Sequence, residues 1–96
     1  MLINKGTTIG EIVTLKLITS EELVGKLKEE TNTHYVIEKP LALGMSNQGI
    51  NLQPWLFTAD TEKDISIPKD RVMIIIPTLK IMADNYLQGT TGIALS

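Results

Sequence analysis

Cysteine is absent from this chain of 96 residues, and histidine occurs once. The absence of thiols excludes disulfides, cysteine nucleophiles and thiolate metal sites. The single histidine belongs to no Ser-His-acid order, and the chain contains no glycine-rich loop of the kind that cradles phosphate groups. The sequence therefore indicates a protein that is not an enzyme and that carries no cofactor and no metal.

Long apolar runs and an excess of positive charge are absent as well. The longest apolar run, Val72–Ile76, is far short of the roughly 20 residues that cross a bilayer, and the first residues do not read as a signal peptide. We therefore expect a cytoplasmic chain with no membrane partner, folded as one domain over residues 1–96. Its 9 basic and 11 acidic residues give a net charge of −2, so nucleic-acid binding would require a local basic patch.

Alternation of apolar and polar residues is the main signal that the sequence does contain. Apolar residues occupy every second position in Ile12–Leu17 and, with one glycine among them, in Leu23–Lys28, which is the period of half-buried strands. The polar residues Thr19–Glu21 between them predict a hairpin turn. Gly25 lies inside the second strand and indicates a bulge or a sharp bend there, which would let a small sheet close into a barrel.

Three further strands and one short strand are predicted after this hairpin. The three are Tyr35–Leu43, Ile50–Ala59, which is interrupted at Pro54, and Val72–Ile76, and the short strand is Ile65–Ile67. Pro40 is expected at a sheet edge or a bulge, because it has no backbone N–H to donate to a neighbouring strand. Gly44–Gly49 has the composition of a turn.

The last element is predicted to be a helix that begins with Thr78 as its N-cap and ends with Gly89 as its C-cap. One apolar stripe is expected along it, formed by Leu79, Met82, Ala83, Tyr86 and Leu87. The expected fold is therefore mainly β. We predict a five-stranded, strongly bent antiparallel barrel of SH3-like or Sm-like type over about residues 12–77, preceded by a loose lead-in and followed by a C-terminal helix over about residues 78–89.

The strand Val72–Ile76 does not alternate, so both of its faces favour apolar cover. A free apolar edge strand can pair with another copy of the chain, and a repeated head-to-tail contact closes a ring. The alternative is a chain in which Met73 and Ile75 lie under the C-terminal helix. We predict the homo-oligomer, with an interface that uses Ile65, Ile67, Val72, Met73, Ile74 and Ile75.

These features resemble the Sm and Sm-like (LSm, Hfq) family of small β-barrels, and in particular the Sm-like proteins of cyanobacterial phages. The segment Leu23–Leu27 is similar to the first family motif, which is an apolar pair, a glycine and a further apolar residue. Ile67–Val72 stands where the second motif is expected. The resemblance covers about residues 12–77 and implies a ring of about five to seven copies in the cytoplasm of a bacterial host cell.

The RNA-contacting turn of that family carries an aspartate, often a histidine, and an asparagine. Strict spacing places Thr31 and Tyr35 at the aspartate and the asparagine. One extra residue places Asn32, His34 and Val36 at the three positions. In the second motif a Pro-Lys pair replaces the family's Arg-Gly pair, and the family's N-terminal helix has no predicted counterpart.

The resemblance implies that single-stranded RNA or DNA is bound by the loops that carry Asn32, His34, Tyr35, Lys69 and Arg71. Aromatic and imidazole rings stack on unpaired bases, and basic side chains meet the phosphates. The alternative is that His34 is a solvated turn residue and Tyr35 a strand anchor.

The remaining charged residues predict a solvated surface. Lysines of the first three strands are interleaved with glutamates, which is typical of cross-strand ion pairs. Three carboxylates alternate in one loop, and carboxylates are the ligands that hard cations prefer: Asp60, Glu62 and Asp64. Since this loop lacks the glycine turn and the bidentate glutamate of a calcium loop, we interpret it as solvated.

Aromatic residues make up only 4% of the chain, and Trp55 and Phe57 stand close together after Pro54. Such a cluster is typical of a core or an interface. It keeps a second function open, that of a phage-type structural or scaffold ring that binds a protein partner and no nucleic acid. The net negative charge and the departures from the RNA-binding motifs favour this second function.

Overall fold

The structure, a computed structural model, describes residues 8–47 and 49–90. Its elements in chain order are β1 (Ile12–Leu17), β2 (Glu22–Glu30), β3 (His34–Ser46), β4 (Gly49–Pro54), β5 (Ile65–Pro68), a 3-10 helix (Lys69–Arg71), β6 (Val72–Pro77) and α1 (Lys80–Thr90). The strands form one antiparallel sheet in the order β4-β3-β2-β1-β6, with β5 paired to β3. The prediction of a mainly β fold with a C-terminal helix is confirmed. The expected lead-in before residue 8 and the tail after residue 90 lie outside the described residues.

The long strand β3 organises the sheet because it carries two partners along one edge. Its first part, His34–Ile37, pairs with β5, and its second part, Leu41–Ser46, pairs with β4. The predicted short strand at Ile65–Ile67 is confirmed as β5, and with it the described residues contain six strands where a five-stranded barrel was expected. Between the two parts β3 gains one residue relative to β2, and Lys39 adopts a φ of +50° directly before Pro40. Pro40 therefore lies at a bulge, as predicted.

Gly25 faces this bulge from β2, and the close approach of the two strands explains the glycine. A Cβ atom at this position would lie 2.3 Å from Cγ2 of Ile37 and 3.3 Å from the carbonyl oxygen of Glu38. Real Cβ atoms do not approach other heavy atoms so closely, so only glycine fits without displacement of the neighbouring strand. The predicted bend at Gly25 is confirmed.

The interior of the bent sheet is filled by aliphatic side chains from β1, β2, β3 and β5, and β6 adds half-buried side chains. Their alternation is the period-two pattern of the sequence, and it places one face of β1 and β2 inside the barrel. The fully or nearly fully buried residues are Val13, Leu15, Leu17, Leu23, Leu27, Ile37 and Ile67.

Helix α1 covers the outside of the sheet. Tyr86 is its buried side chain, and it packs with Ile12 and Val24 against the outer face of β1 and β2. The Tyr86 hydroxyl donates to the carbonyl oxygen of Glu38 at 2.5 Å, and Lys39 Nζ donates to the carbonyl oxygen of Thr90 at 3.0 Å. Within the described residues, no helix has the length and apolar character needed to span a membrane.

The predicted helix ends differ from the observed ones by one or two residues. Thr78 lies before the helix, where its hydroxyl is 2.9 Å from the hydroxyl of Thr14 and its backbone N–H donates to the carbonyl oxygen of Ile12 at 3.1 Å. Gly89 lies inside α1. Helix ends depend on such tertiary contacts, which local sequence does not reveal.

The predicted apolar stripe of the helix is only partly correct. Tyr86 is buried and Met82 and Ala83 are half-buried, but Leu79 and Leu87 are exposed. The stripe is narrower than expected because the helix packs on β1, β2 and the base of the β3–β4 hairpin and leaves its remaining apolar side chains uncovered.

The predicted turn at Gly44–Gly49 is also largely wrong. β3 continues to Ser46 and β4 begins at Gly49, so the turn is much tighter than the composition indicated. β4 ends at Pro54, where the interruption was predicted, and it does not resume between Trp55 and Ala59. Glycine, serine and asparagine predict turns by composition, but here they alternate with apolar residues along two paired strands.

Burial raises the pKa of Tyr86 to about 12. The folded chain therefore keeps this proton above pH 10, where the unfolded chain releases it. The protonated Tyr86 hydroxyl contributes fully to the free energy of unfolding below pH 10, the pKa of tyrosine in the unfolded chain. This contribution is lost between about pH 10 and pH 12, at a rate of up to about 1.4 kcal/mol per pH unit. We expect Tyr86→Phe to cost about 1 kcal/mol at neutral pH through the lost hydrogen bond. We also expect the difference from the wild type to shrink above pH 10, which urea unfolding at several pH values would measure.

Candidate nucleic-acid interface

The turn between β2 and β3 is held by one threonine. The Thr31 hydroxyl accepts from the backbone N–H of His34 at 2.9 Å and from that of Thr33 at 3.2 Å, while the Thr31 N–H donates to the His34 carbonyl oxygen at 2.9 Å. Threonine commonly stabilises turns in this way. The turn therefore presents Asn32 and His34 in a fixed backbone conformation.

A second loop, the 3-10 helix Lys69–Arg71, lies against this turn. The backbone N–H of Lys69 donates to the Thr33 carbonyl oxygen at 2.8 Å, and Pro68 is the strand partner of His34. The two loops meet because β5 pairs with the first part of β3. Residues far apart in the sequence are thereby brought to one end of the barrel.

The two loops enclose an open cleft of about 430 Å³. Four of the five residues predicted to bind nucleic acid line it, together with Thr33, Pro68 and Asp70: Asn32, His34, Lys69 and Arg71. The His34 ring is half-buried, and its Nδ1 lies 2.8 Å from the Thr33 hydroxyl. This contact restrains the ring in the turn.

Tyr35, the fifth predicted residue, points away from the cleft. It pairs with Ile67 and packs against the barrel core, which agrees with its interpretation as a strand anchor. Lys69 Nζ lies 5.1 Å from the centre of the Tyr35 ring, within the range of a cation–π contact. Tyr35 therefore contributes to the cleft by positioning Lys69.

The charges of the cleft nearly cancel. Lys69 Nζ lies 2.7 Å from Oε2 of Glu30, and Arg71 Nε lies 3.7 Å from Oδ1 of Asp70. Both pairs are exposed enough that each is worth less than about 1 kcal/mol. A phosphate would compete with Glu30 for Lys69, whereas Arg71 has the weaker local partner and the more exposed side chain, at 66%.

The predicted interface residues divide into two groups. Ile67 is buried, and three others are half-buried against the barrel core: Ile65, Val72 and Ile75. Met73 and Ile74 are exposed. The alternative in which Met73 lies under the C-terminal helix is wrong, because α1 packs on β1, β2 and the β3–β4 hairpin.

The three carboxylates of the acidic loop, Asp60, Glu62 and Asp64, do not converge on one point. Asp64 pairs with Lys28 at 3.6 Å, while Oδ1 of Asp60 accepts from the backbone N–H of Glu62 at 2.9 Å. Lys28 also lies 3.7 Å from Oε1 of Glu38, as expected for cross-strand ion pairs. In residues 8–47 and 49–90, no group of three or more histidine and acidic side chains is placed to hold a metal ion.

A second cavity, of about 320 Å³, was not predicted. It lies between the β3 bulge, the loop after β4 and the end of α1, and its walls include Pro40, Pro54, Trp55 and Thr90. The Trp55 indole N–H donates to Glu21 at 3.3 Å. Hydrogen bonds from Thr19 and then from Trp55 lower the pKa of the Glu21 carboxyl. The sequence signal for this cavity was the isolated Trp55 cluster.

Comparison of the chain with protein-family models and with curated proteins finds no match in either.

Proposed function

We propose that this chain forms an Sm-like homo-oligomeric ring that binds single-stranded RNA or DNA in the cytoplasm of a bacterial cell, without catalysis. The observation that supports binding is the meeting of the β2–β3 turn and the 3-10 helix in one cleft, since these are the two loops that the resemblance implicates. The exposed Met73 and Ile74 on the last strand support self-association.

Each cleft residue has a distinct proposed role. Arg71 contacts a backbone phosphate, and the His34 ring stacks on an unpaired base. The Asn32 amide hydrogen-bonds to the edge of that base. Lys69 supplies a second cation, held by Tyr35 and weakened by Glu30.

A single cleft whose charges nearly cancel binds nucleic acid weakly, and assembly into a ring increases the affinity. Several equivalent clefts on one assembly convert later contacts into intramolecular ones, so the strand is held more tightly than by any one copy. The proposal therefore links affinity to assembly. A ring that dissociates should also release the nucleic acid.

The test is a titration of a labelled single-stranded oligonucleotide at low salt, followed by fluorescence anisotropy. Arg71→Ala is expected to weaken binding about tenfold and to reduce the salt dependence by about one phosphate contact. Glu30→Gln is expected to strengthen binding about threefold, because it removes the carboxylate that competes for Lys69. His34→Ala should weaken binding with little change in the salt dependence, because stacking is not a charge contact.

Lys80→Ala is the matched control, since it removes the same charge from an exposed ion pair with Asp84 on the helix. It should leave the affinity nearly unchanged. The nucleic-acid proposal fails if the intact oligomer does not bind the oligonucleotide. It also fails if Lys80→Ala and Arg71→Ala weaken binding equally, because the attraction would then be unspecific.

A second candidate function is a scaffold ring that binds a protein partner and no nucleic acid. The cavity beside Trp55 favours it, because apolar pockets with an aromatic wall are typical recognition sites. The internal ion pair of Lys69 favours it as well. Capture of a protein partner that is lost in Leu56→Asp, which alters an exposed side chain of the cavity wall, and that nuclease treatment does not affect, would select this function.

A further inference from the structure

The β3–β4 hairpin forms an arm with two chemically different faces. The strand register places three apolar pairs on one face: Leu41 with Pro54, Leu43 with Leu52, and Met45 with Ile50. The other face carries small and polar pairs: Ala42 with Gln53, Gly44 with Asn51, and Ser46 with Gly49. The arm is therefore amphipathic along its whole length.

Helix α1 covers only the base of the apolar face. Leu41 and Leu52 pack with Tyr86, whereas Met45 is 81% exposed and Ile50 is 58% exposed at the tip. The stretch from Leu41 to Ala59 contains no charged residue. A lack of charged residues around exposed apolar side chains is typical of the centre of a protein interface.

A second apolar patch lies on the same outer face of the sheet, at the opposite edge. Ile74 and Ile76 stand across from Lys16 and Thr14 on that face, and they are 52% and 50% exposed. Leu79, directly before the helix, is 75% exposed. The stretch Val72–Leu79 is also free of charged residues. We call Ile74, Ile76 and Leu79 the β6 patch.

We propose that the tip of the arm of one copy packs on the β6 patch of the next copy, so that the arm clamps each junction of the ring. Both surfaces are exposed within one chain, so the chain does not cover one with the other. They are different surfaces, and a contact between different surfaces is head-to-tail, which is the type that builds rings. The arm and β5 also share the same edge of β3, so the clamp lies beside the edge that the proposed ring uses.

The area of this contact is too small for the clamp to hold two copies together by itself, so the clamp assists a larger junction. An aliphatic side chain of this size buries about 100 Å² when it is fully covered. The exposed parts of the arm tip and the β6 patch then amount to roughly 300 Å² of apolar surface, below the total of about 1,000 Å² of a stable interface. The inference therefore rests on the proposed ring, whose strand contact would supply the remainder.

The test is the mass in solution, measured by light scattering over a range of protein concentrations. Ile50→Asp on the arm and Ile76→Asp on the β6 patch are each expected to raise the concentration for half-dissociation at least 100-fold. Asn51→Asp adds the same charge to the adjacent position on the polar face of the arm, and it should leave the mass unchanged. Since all three sites are exposed, circular dichroism should show folded chains throughout.

Mixing the two defective variants provides the sharper test. The arm of the Ile76→Asp chain and the β6 patch of the Ile50→Asp chain are both intact, so the mixture should form pairs and stop there. A wild-type oligomer whose mass neither variant changes would overturn the clamp and leave the ring standing. A wild-type chain that is a monomer at every concentration would overturn the ring and the clamp together. Loss of a different protein partner in Ile50→Asp, at unchanged mass, would assign the arm to that partner and overturn the clamp.

Discussion

Gly25→Ala is expected to destabilise the barrel by about 3 kcal/mol, because the added methyl group has no space. Its carbon would lie 2.3 Å from Cγ2 of Ile37, a residue with no exposed surface, and 3.3 Å from the Cα of Pro40. Neither neighbour can move cheaply, since Ile37 is β-branched within the core and Pro40 lies in the bulge. Urea unfolding monitored by circular dichroism would measure the loss.

Gly89→Ala is the matched control for this prediction. No atom lies within 4 Å of a Cβ placed at Gly89, and the residue is helical. Alanine should therefore stabilise the helix by about 0.5 to 1 kcal/mol. Equal losses at Gly25 and Gly89 would contradict the steric explanation, since they would indicate a general intolerance of alanine.

A double-mutant cycle separates the collision from other effects at Gly25. Ile37→Ala alone should cost about 2 to 5 kcal/mol, because it leaves a cavity in the core. In the double variant the new methyl group at position 25 occupies part of that cavity. The double variant should therefore be less destabilised than the sum of the single variants, by about 1 kcal/mol or more. Strict additivity would show that the two side chains do not collide.

The strands and the bend were predictable because their signals are local. Period-two alternation in β1 and β2 reports which face is buried, and Gly25 and Pro40 report the bulge through their own backbone chemistry. The alternation in fact continues through Leu41, Leu43 and Met45. The β3–β4 arm was not predicted, because the turn-forming residues between these apolar residues indicate a turn by composition, whereas the alternation indicates a strand.

The composition of the cleft was predictable, whereas its electrostatics were not. The meeting of the two loops depends on the pairing of β3 with β5, which joins distant parts of the chain and entered the prediction through the family resemblance. The ion pair between Lys69 and Glu30 depends on where two flexible side chains lie in the folded sheet. Likewise, the cation–π contact between Lys69 and Tyr35 could be recognised only once the strand register was known.

Tyr86→Ala is expected to release the helix from the barrel, at a cost of about 3 to 5 kcal/mol to docking. Tyr86 is the buried side chain of α1 among the described residues, and its hydroxyl also holds the Glu38 carbonyl oxygen in the strand beside the bulge. A helix of 11 residues is unstable in water by itself, so undocking and unfolding of α1 should coincide.

The measurement compares two signals in the Tyr86→Ala chain. Helical circular dichroism should fall, while Trp55 fluorescence should still report a cooperative transition of the barrel, because the interior cluster contains no residue from the helix. Tyr86→Phe keeps the buried ring and should retain the helix. If Tyr86→Ala instead abolishes both signals together, then the outer cluster of Ile12, Val24 and Tyr86 is required for the barrel itself, and the helix is a structural layer of the fold. If the variant keeps its helix while it is assembled and loses the helix on dilution to single chains, the helix is held by neighbouring copies, since a contact between chains then replaces the one that was removed.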